Sequence, residues 1–310
     1  MKLYYKPILF VSIIILSLLT GCIRDDHGDC VQGINIRFYF KTPCQLDTVY
    51  PEGIKDITLC IFDKNDVLIY YSQSEDVKLQ KDYMQTVEIA SGLYTVVAWS
   101  GLDNNLYDPS PLVSGTTKKN DLMFRLRRTA ETATNIEGNK VYVGQSPAVY
   151  VSQASGSESL FERATVNLQE ITNRISISVE GLDNPQNYII DIESNNGSMN
   201  IDGSIAYDDF IDYISESVVK DRTLETTITL LKLDTSNSST LVIKSRSDGT
   251  EVYRESLLGT LLLKNPNVNL ACDHDFTIKF TAKDQCNCGT YTIMEIWVNN
   301  WLVHSYDTEM

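Results

Sequence analysis

The sequence of 310 residues predicts an all-β protein with two β-sandwich domains in series. Short runs alternate apolar and polar residues with a period of two, polar turn residues separate these runs, and one run is almost wholly apolar and β-branched. At about 150 residues per domain, the chain is long enough for two hydrophobic cores. We expect an N-terminal sandwich over residues 33–160 and a C-terminal sandwich over residues 161–310.

The N-terminal half has the clearest strand patterns. Ile34 to Lys41 alternates apolar and polar residues, and the polar turn 63–66 indicates a hairpin. The apolar run 91–99 is typical of a central strand of a sandwich. Residues 101–120 are rich in Asn, Asp, Pro, Ser and Gly and predict a long loop. Strands are expected at 34–41, 57–62, 67–71, 85–89, 91–99, 122–126 and 141–144.

The C-terminal half continues in the same way. Residues 164–168 and 171–179 are expected to form one long bent strand, and 208–217 to form a short helix. Ser247-Asp248-Gly249 indicates a hairpin turn, and Asn299-Asn300 suits the left-handed conformations of another. Other strands are expected at 188–192, 226–232, 240–244, 274–281 and 290–299.

The N-terminus has the features of a bacterial lipoprotein signal. Two lysines precede an apolar run that ends in Leu19-Thr20-Gly21-Cys22. A basic start, a short apolar core and small residues before the cut are typical of a cleaved export segment. We therefore expect cleavage after residue 21, acylation of Cys22, and a polar tether over residues 22–32.

Composition excludes several function classes. The formal net charge is −15, and it becomes −17 once Lys2 and Lys6 leave with the signal. This balance argues against nucleic-acid partners, which require clustered Lys and Arg. The three histidines lie in no catalytic motif, so we expect neither an enzyme nor a cofactor. Acid pairs such as Asp208-Asp209 are interpreted as solvated loop charges.

Six cysteines remain beside Cys22. They fall into two clusters, and bridges within each cluster are the simplest expectation for an exported chain, although sequence alone allows about 15 pairings. An alternative is a zinc site formed by the C-terminal cluster with His274, but its ligand spacing is atypical and oxidation is favoured. The two clusters are Cys30, Cys44 and Cys60, and Cys272, Cys286 and Cys288.

The leader carries a family resemblance. A lipidated Cys22, two residues, the pair Asp25-Asp26 and then Cys30 closely resemble the start of the FimB/Mfa2 family of fimbrial anchoring lipoproteins of Bacteroidales. The resemblance implies two tandem transthyretin-like Greek-key domains. It also implies that Arg24, Asp25 and Asp26 act as a signal for export to the outer face of the outer membrane. The alternative is that these aspartates are plain linker charges.

The same resemblance implies a function. The chain would fix a fimbrium to the outer membrane through acyl chains on Cys22, bind the first stalk fimbrillin by strand addition, and end polymerisation because its first strand, 34–41, stays in place. Two alternatives are a surface glycan-binding lipoprotein and a minor or tip fimbrillin. Trp99, Trp297 and Trp301 are the aromatic candidates for glycan binding, although core packing is the commoner role.

The C-terminal segment is the candidate donor strand. In the expected strand, Thr292, Met294, Ile296 and Val298 would share one face, with Tyr291, Ile293 and Trp297 on the other. The alternative is an ordinary hairpin that closes the second sandwich. The possible donor residues are Ile293, Ile296, Trp297, Val298, Trp301 and Val303.

Overall fold

A computed structural model describes residues 31–154, 159–263, 265–284, 286 and 289–306. The regular secondary structure of this part of the chain is almost entirely β, which confirms the predicted fold class. The strands up to residue 151 are β1 (Gln32–Tyr39), β2 (Ile57–Asp63), β3 (Leu68–Ser74), β4 (Met84–Glu88), β5 (Gly92–Ser100), β6 (Tyr107–Pro109), β7 (Met123–Leu126), β8 (Arg128–Thr129), β9 (Thr132–Ala133), β10 (Tyr142–Gln145) and β11 (Val149–Val151).

The second half of the described chain adds more strands and one short α-helix, α1 (Leu257–Leu262). These strands are β12 (Leu160–Asn167), β13 (Gln169–Glu170), β14 (Thr172–Glu180), β15 (Tyr188–Ser194), β16 (Ser198–Asn200), β17 (Ile211–Ile214), β18 (Val218–Lys220), β19 (Thr223–Leu231), β20 (Ser239–Ser245), β21 (Glu251–Ser256), β22 (Asp275–Asp284), β23 (Tyr291–Val298) and β24 (Trp301–Ser305).

The N-terminal sandwich consists of two sheets, ordered β12-β1-β4 and β13-β10-β5-β2-β3, with β11 also paired to β5. β5 lies inside the larger sheet, as the apolar run predicted. Its Val96 and Ala98 pack into the core between these two sheets, whereas Val97 and Trp99 pack into the core shared with the C-terminal half. Both faces of this strand are buried, which explains why its sequence lacks the usual polar alternation.

The C-terminal sandwich consists of two sheets, ordered β18-β19-β14-β22-β23-β24 and β21-β20-β15-β17-β9-β8. The strands β8 and β9 come from the N-terminal half of the chain. A further small sheet, β16-β7-β6, also mixes the two halves. The halves are therefore joined by strand pairing, in addition to side-chain packing.

The segment around residue 170 carries the chain from one sandwich to the other. The prediction of one long bent strand is wrong, because β12 pairs in parallel with β1 whereas β14 pairs with β19 and β22. Leu168 is buried in the N-terminal core and Ile171 in the shared core, so the chain changes sheets between them. The domain boundary near residue 160 stays a prediction, and the pairing of β12 and β13 favours a later position.

Two other predictions of secondary structure are corrected. Residues 208–217 contain strand β17 instead of a helix, because Ile211 and Tyr213 alternate into the core. The predicted loop 101–120 contains the short strand β6, held by the fully buried Tyr107, whose hydroxyl donates to Asn139 Oδ1 at 2.8 Å. The hairpin predictions are confirmed for β2–β3 and for β20–β21.

Candidate functional site

The first described strand is held on both edges. β1 pairs in parallel with β12 and antiparallel with β4, so it is the centre of its sheet. Ile34, Ile36 and Phe38 are buried in the N-terminal core. A Cβ on Gly33 would lie 2.1 Å from the carbonyl oxygen of Val87, so only glycine permits the close approach of β4. The predicted first strand is therefore in place, and β1 is paired along both of its edges.

The last described strand has the opposite environment. β24 pairs with β23 and is the outermost strand of its sheet. The turn between them contains Asn299 and Asn300 with φ of 48° and 63°, which confirms the predicted left-handed turn. The Trp301 and Leu302 side chains are 44% and 40% exposed. Among the described residues, β24 therefore has a free backbone edge, and exposed apolar side chains lie beside it.

The predicted division of faces along β23 is wrong. The pairing steps from Thr281–Glu295 to Ala282–Ile293, so Met294 is an extra residue in a β-bulge. The bulge reverses the alternation, and Ile293 packs against the same core as Ile296 and Val298. Trp297 pairs with Lys279 on the opposite face, where its Nε1 donates to Glu295 Oε2 at 2.9 Å.

An apolar groove lies beside this strand pair. It has a volume of about 440 Å³ and is lined by residues of β21, α1, β23 and β24, including Ile293, Ile296 and Val303. The ring of Tyr253 packs 4.8 Å from that of Phe280. Because β21 and β24 are the end strands of the two facing sheets, the groove marks the open side of the C-terminal sandwich.

The three tryptophans do not form one surface. Trp99 is buried, as core packing predicted; its ring meets Phe124 edge to face, and its Nε1 donates to the carbonyl of Ile201 at 2.8 Å. Trp297 and Trp301 lie on the C-terminal strand pair. An aromatic platform that combines all three for glycan binding is therefore absent from the described residues.

A disulfide joins the two cysteine clusters. Cys44 is bonded to Cys272, with 6.0 Å between the two Cα atoms and a sequence separation of 228. The prediction of bridges confined to each cluster is wrong for this pair, because the loop after β1 meets the loop before β22. Cys272 is thus not a free thiolate, and Cys286 is also disulfide-bonded, so the zinc alternative is wrong.

The other cysteine predictions have mixed outcomes. Cys60 is buried as a free thiol, and burial raises its pKa to about 12. Cys30 and Cys288 lie outside the described residues, as do the lipid-attachment and export predictions at Cys22, Arg24, Asp25 and Asp26. Within the described residues, no group of three or more His, Cys, Asp or Glu is placed to hold a metal ion.

Sequence analysis missed a buried ion pair between the two halves. Asp208, predicted as a solvated charge, is buried, and its Oδ2 lies 2.5 Å from Arg128 Nη2 and 2.6 Å from Ser198 Oγ, which donates to it. Burial by itself would raise the pKa of Asp208, but the hydrogen bonds from Ser198 and Arg128 hold that pKa below its usual range. No local signal marks this contact, because Arg128 is distant in sequence.

Comparison with known proteins agrees with this architecture. The family model "Fimbrillin-A associated anchor proteins Mfa1 and Mfa2" matches residues 26–307. The chain is 35% identical over 295 residues to the minor fimbrium anchoring subunit Mfa2 of Porphyromonas gingivalis, covering 93% of this chain and 90% of that protein. None of the described helices is long and apolar enough to cross a membrane.

Solved structures extend the comparison. The fimbrial anchor protein Mfa2 from Porphyromonas gingivalis superposes with a TM-score of 0.82 at 34% identity, covering 89% of this chain and 100% of that chain. A candidate polysaccharide-binding protein from Bacteroides thetaiotaomicron gives a TM-score of 0.74 at 21% identity, covering 90% and 99%, and shares the fold alone. The chain therefore belongs to the family of fimbrillin-A associated anchor proteins.

Proposed function

We propose that this chain is the base subunit of a fimbrium, held in the outer membrane by acyl chains on Cys22. Its family is one of fimbrial anchor proteins, with no enzymatic activity. Acylation of Cys22 would put the lipid about ten residues before β1, so the N-terminal sandwich would lie next to the membrane surface. The first stalk fimbrillin is the partner that the family description suggests.

The central position of β1 is the observation that carries the proposed end of polymerisation. The family resemblance implies that stalk fimbrillins open an acceptor groove when proteolysis removes their first strand. Here β1 is paired on both edges and buries Ile34, Ile36 and Phe38. Loss of β1 would expose this apolar surface and also cut the chain from its lipid. The groove therefore stays closed, and no further subunit inserts at this end.

The contact with the stalk is assigned to the opposite end of the chain. β24 has a free edge, and Ile293, Ile296 and Val303 line the groove beside it. A donor strand built from the β23–β24 segment would supply backbone hydrogen bonds and place alternate side chains in the pockets of the stalk subunit. In the structure, β24 forms a hairpin with β23, and β24 would leave this hairpin to act as a donor strand.

Substitution of the lipidated cysteine tests the anchoring role. Cys22→Ala should release fimbriae into the medium, because the mature chain then has no lipid to hold it. The measurement is the ratio of cell-bound to shed fimbriae. The matched control is Cys60→Ala, which removes a buried free thiol and should leave fimbriae on the cell. Normal amounts of cell-bound fimbriae on the Cys22→Ala strain would refute the anchoring role.

A second substitution tests the proposed export signal. Replacing Asp25 and Asp26 by Ala should preserve the lipid but leave the protein inaccessible to protease added outside the cell. Unchanged cleavage would show that these residues are only linker charges.

Gold labelling of this protein on intact fimbriae distinguishes a base subunit from a minor or tip fimbrillin. Label at the distal end of fimbriae would support the minor or tip alternative.

A further inference from the structure

The disulfide between Cys44 and Cys272 lies across the path of tension in an anchored fimbrium. If the chain is the base subunit, tension enters at Cys22 and leaves through the β23–β24 segment. Cys44 lies in the loop that follows β1, and Cys272 lies just before β22. The bridge therefore connects the strand nearest the membrane directly with the strands nearest the stalk.

We propose that this disulfide is a mechanical shortcut, meaning that it carries tension directly between β1 and β22 and bypasses the residues between Cys44 and Cys272. This inference rests on the proposed function. Tension is carried by covalent bonds from β1 through the two sulfur atoms into β22. The residues between Cys44 and Cys272, which include most of both cores, lie off this path. Force on the fimbrium then cannot draw out that segment, because its two ends are bonded to each other.

Of the strands that remain under tension, β1 and β22 are already extended. β1 and β22 have a rise of about 3.3 Å per residue, close to the limit of a stretched chain, so tension along their backbones lengthens them little. Each is also paired on both edges: β1 with β12 and β4, and β22 with β14 and β23. Neither strand is at the margin of a sheet, where one row of hydrogen bonds could be peeled away.

The bridge is attached where the chain crosses between the sandwiches. The backbone N–H of Arg174 donates to the carbonyl of His274 at 2.7 Å, next to the bridge. The Arg174 guanidinium contacts both Glu170 and Asp275 at 2.5 Å, so it ties the crossing segment to the start of β22. These charged contacts hold the loop that contains Cys272 against the segment around residue 170, which connects the two sandwiches. The disulfide adds a covalent bond at the same place.

Without the bridge, the same tension would run along the backbone of residues 44–272, and only non-covalent contacts would resist the extension of this segment. The halves are then held by the pairing of β7 with β16 and of β9 with β17, by the Trp99–Ile201 hydrogen bond and by apolar packing. Such contacts open under sustained force, whereas a disulfide does not at the forces of fluid flow. The expected result is a base subunit that holds fimbriae with or without the bridge, but that stays folded in flow only with it.

Stretching single molecules tests the shortcut directly. The mature chain is pulled between its N- and C-termini by optical tweezers, oxidised and as the Cys44→Ser/Cys272→Ser variant. At about 0.35 nm per residue, the variant should extend about 80 nm further than the oxidised protein, because the 228-residue separation is released. Equal final lengths would overturn the proposal.

Fimbriated cells in a flow chamber supply the functional test. Cells with the double variant should carry normal fimbriae, and under shear the buried thiol of Cys60 in this variant should become exposed and react with added maleimide, whereas Cys60 of the parent strain stays unreacted. Asp208→Asn is the matched control, since it weakens the fold but keeps the bridge. If the variant is poorly exported, mild reduction of parent cells and removal of the reductant should give the same labelling of Cys60 under shear. Cys60 that stays unlabelled in flow after either treatment overturns the shortcut. Fimbriae that stay on the cell in the Cys22→Ala strain overturn the anchoring role instead.

Discussion

The first and last described strands have similar local patterns but opposite structural roles. β1 is central in its sheet and its apolar residues are buried, whereas β24 is an edge strand with Trp301 and Leu302 exposed. Both contain apolar residues in a short extended run. The difference shows that the position of a strand in its sheet, more than its composition, decides whether the strand can be released.

This contrast fits the two ends of a base subunit. β1, the strand nearest the proposed lipid site, is paired on both edges, which opposes its exchange for a strand of another subunit. In the part of the chain that the structure describes, β24 has no partner on its outer edge, so a second chain can pair with it there. The same fold therefore combines a first strand that is held on both edges with a last strand that is held on one.

The largest effect on stability is expected in β1. Phe38 is buried against Tyr83, with 6.0 Å between ring centroids. Phe38→Ala should lower the free energy of unfolding by about 3 to 5 kcal/mol, because it removes apolar contacts and leaves a cavity. Denaturant unfolding measures this. The exposed Arg37→Ala on the same strand should change stability by less than about 0.5 kcal/mol, and equal effects would contradict a buried central strand.

Removal of the disulfide should have the next largest effect. The Cys44→Ser/Cys272→Ser variant loses a constraint on a separation of 228 residues, which should lower the free energy of unfolding by about 2 to 5 kcal/mol. Cys60→Ala, which breaks no bridge, is the control. If the double variant unfolds like the parent, the two ends of the molecule are not coupled through this bond.

The ion pair between the halves should give a pH-dependent effect. The pKa of Asp208 is lowered in the fold, so its contribution is present above the unfolded pKa of about 3.9 and is lost as pH falls through the lower folded value. Asp208→Asn should cost about 1 to 3 kcal/mol at pH 7, and the difference from the parent should shrink towards pH 2. Denaturant unfolding at several pH values measures it. A constant difference would show that the charge of Asp208 is unimportant.

The smallest effect on stability is expected in β24. Deletion of residues 301–310 removes one edge strand, so the unfolding temperature should stay within about 2 °C of the parent. Under the donor hypothesis, the truncated protein should no longer co-purify with fimbrillin. Deletion of residues 307–310 alone, which keeps β24, is the control. A truncated protein that is strongly destabilised, or that still holds fimbrillin, would place the junction elsewhere.

Features that depend on neighbouring residues could be predicted from the sequence. The alternation at Ile34, Ile36 and Phe38 predicted β1, and the apolar run 91–99 predicted a central strand. Asn299-Asn300 predicted a tight turn with left-handed backbone. Such signals are reliable because side-chain alternation and turn geometry are set by local backbone sterics. The leader motif likewise predicted the family from adjacent residues.

The tertiary structure alone decided which distant segments meet. It brought Cys44 to Cys272 and Arg128 to Asp208, and it added β8 and β9 to a sheet of the other half. It also inserted Met294 as a bulge, which moved Ile293 to the core face. None of these follows from local pattern, because each depends on the packing of two sheets and on the register between strands that are far apart in the chain.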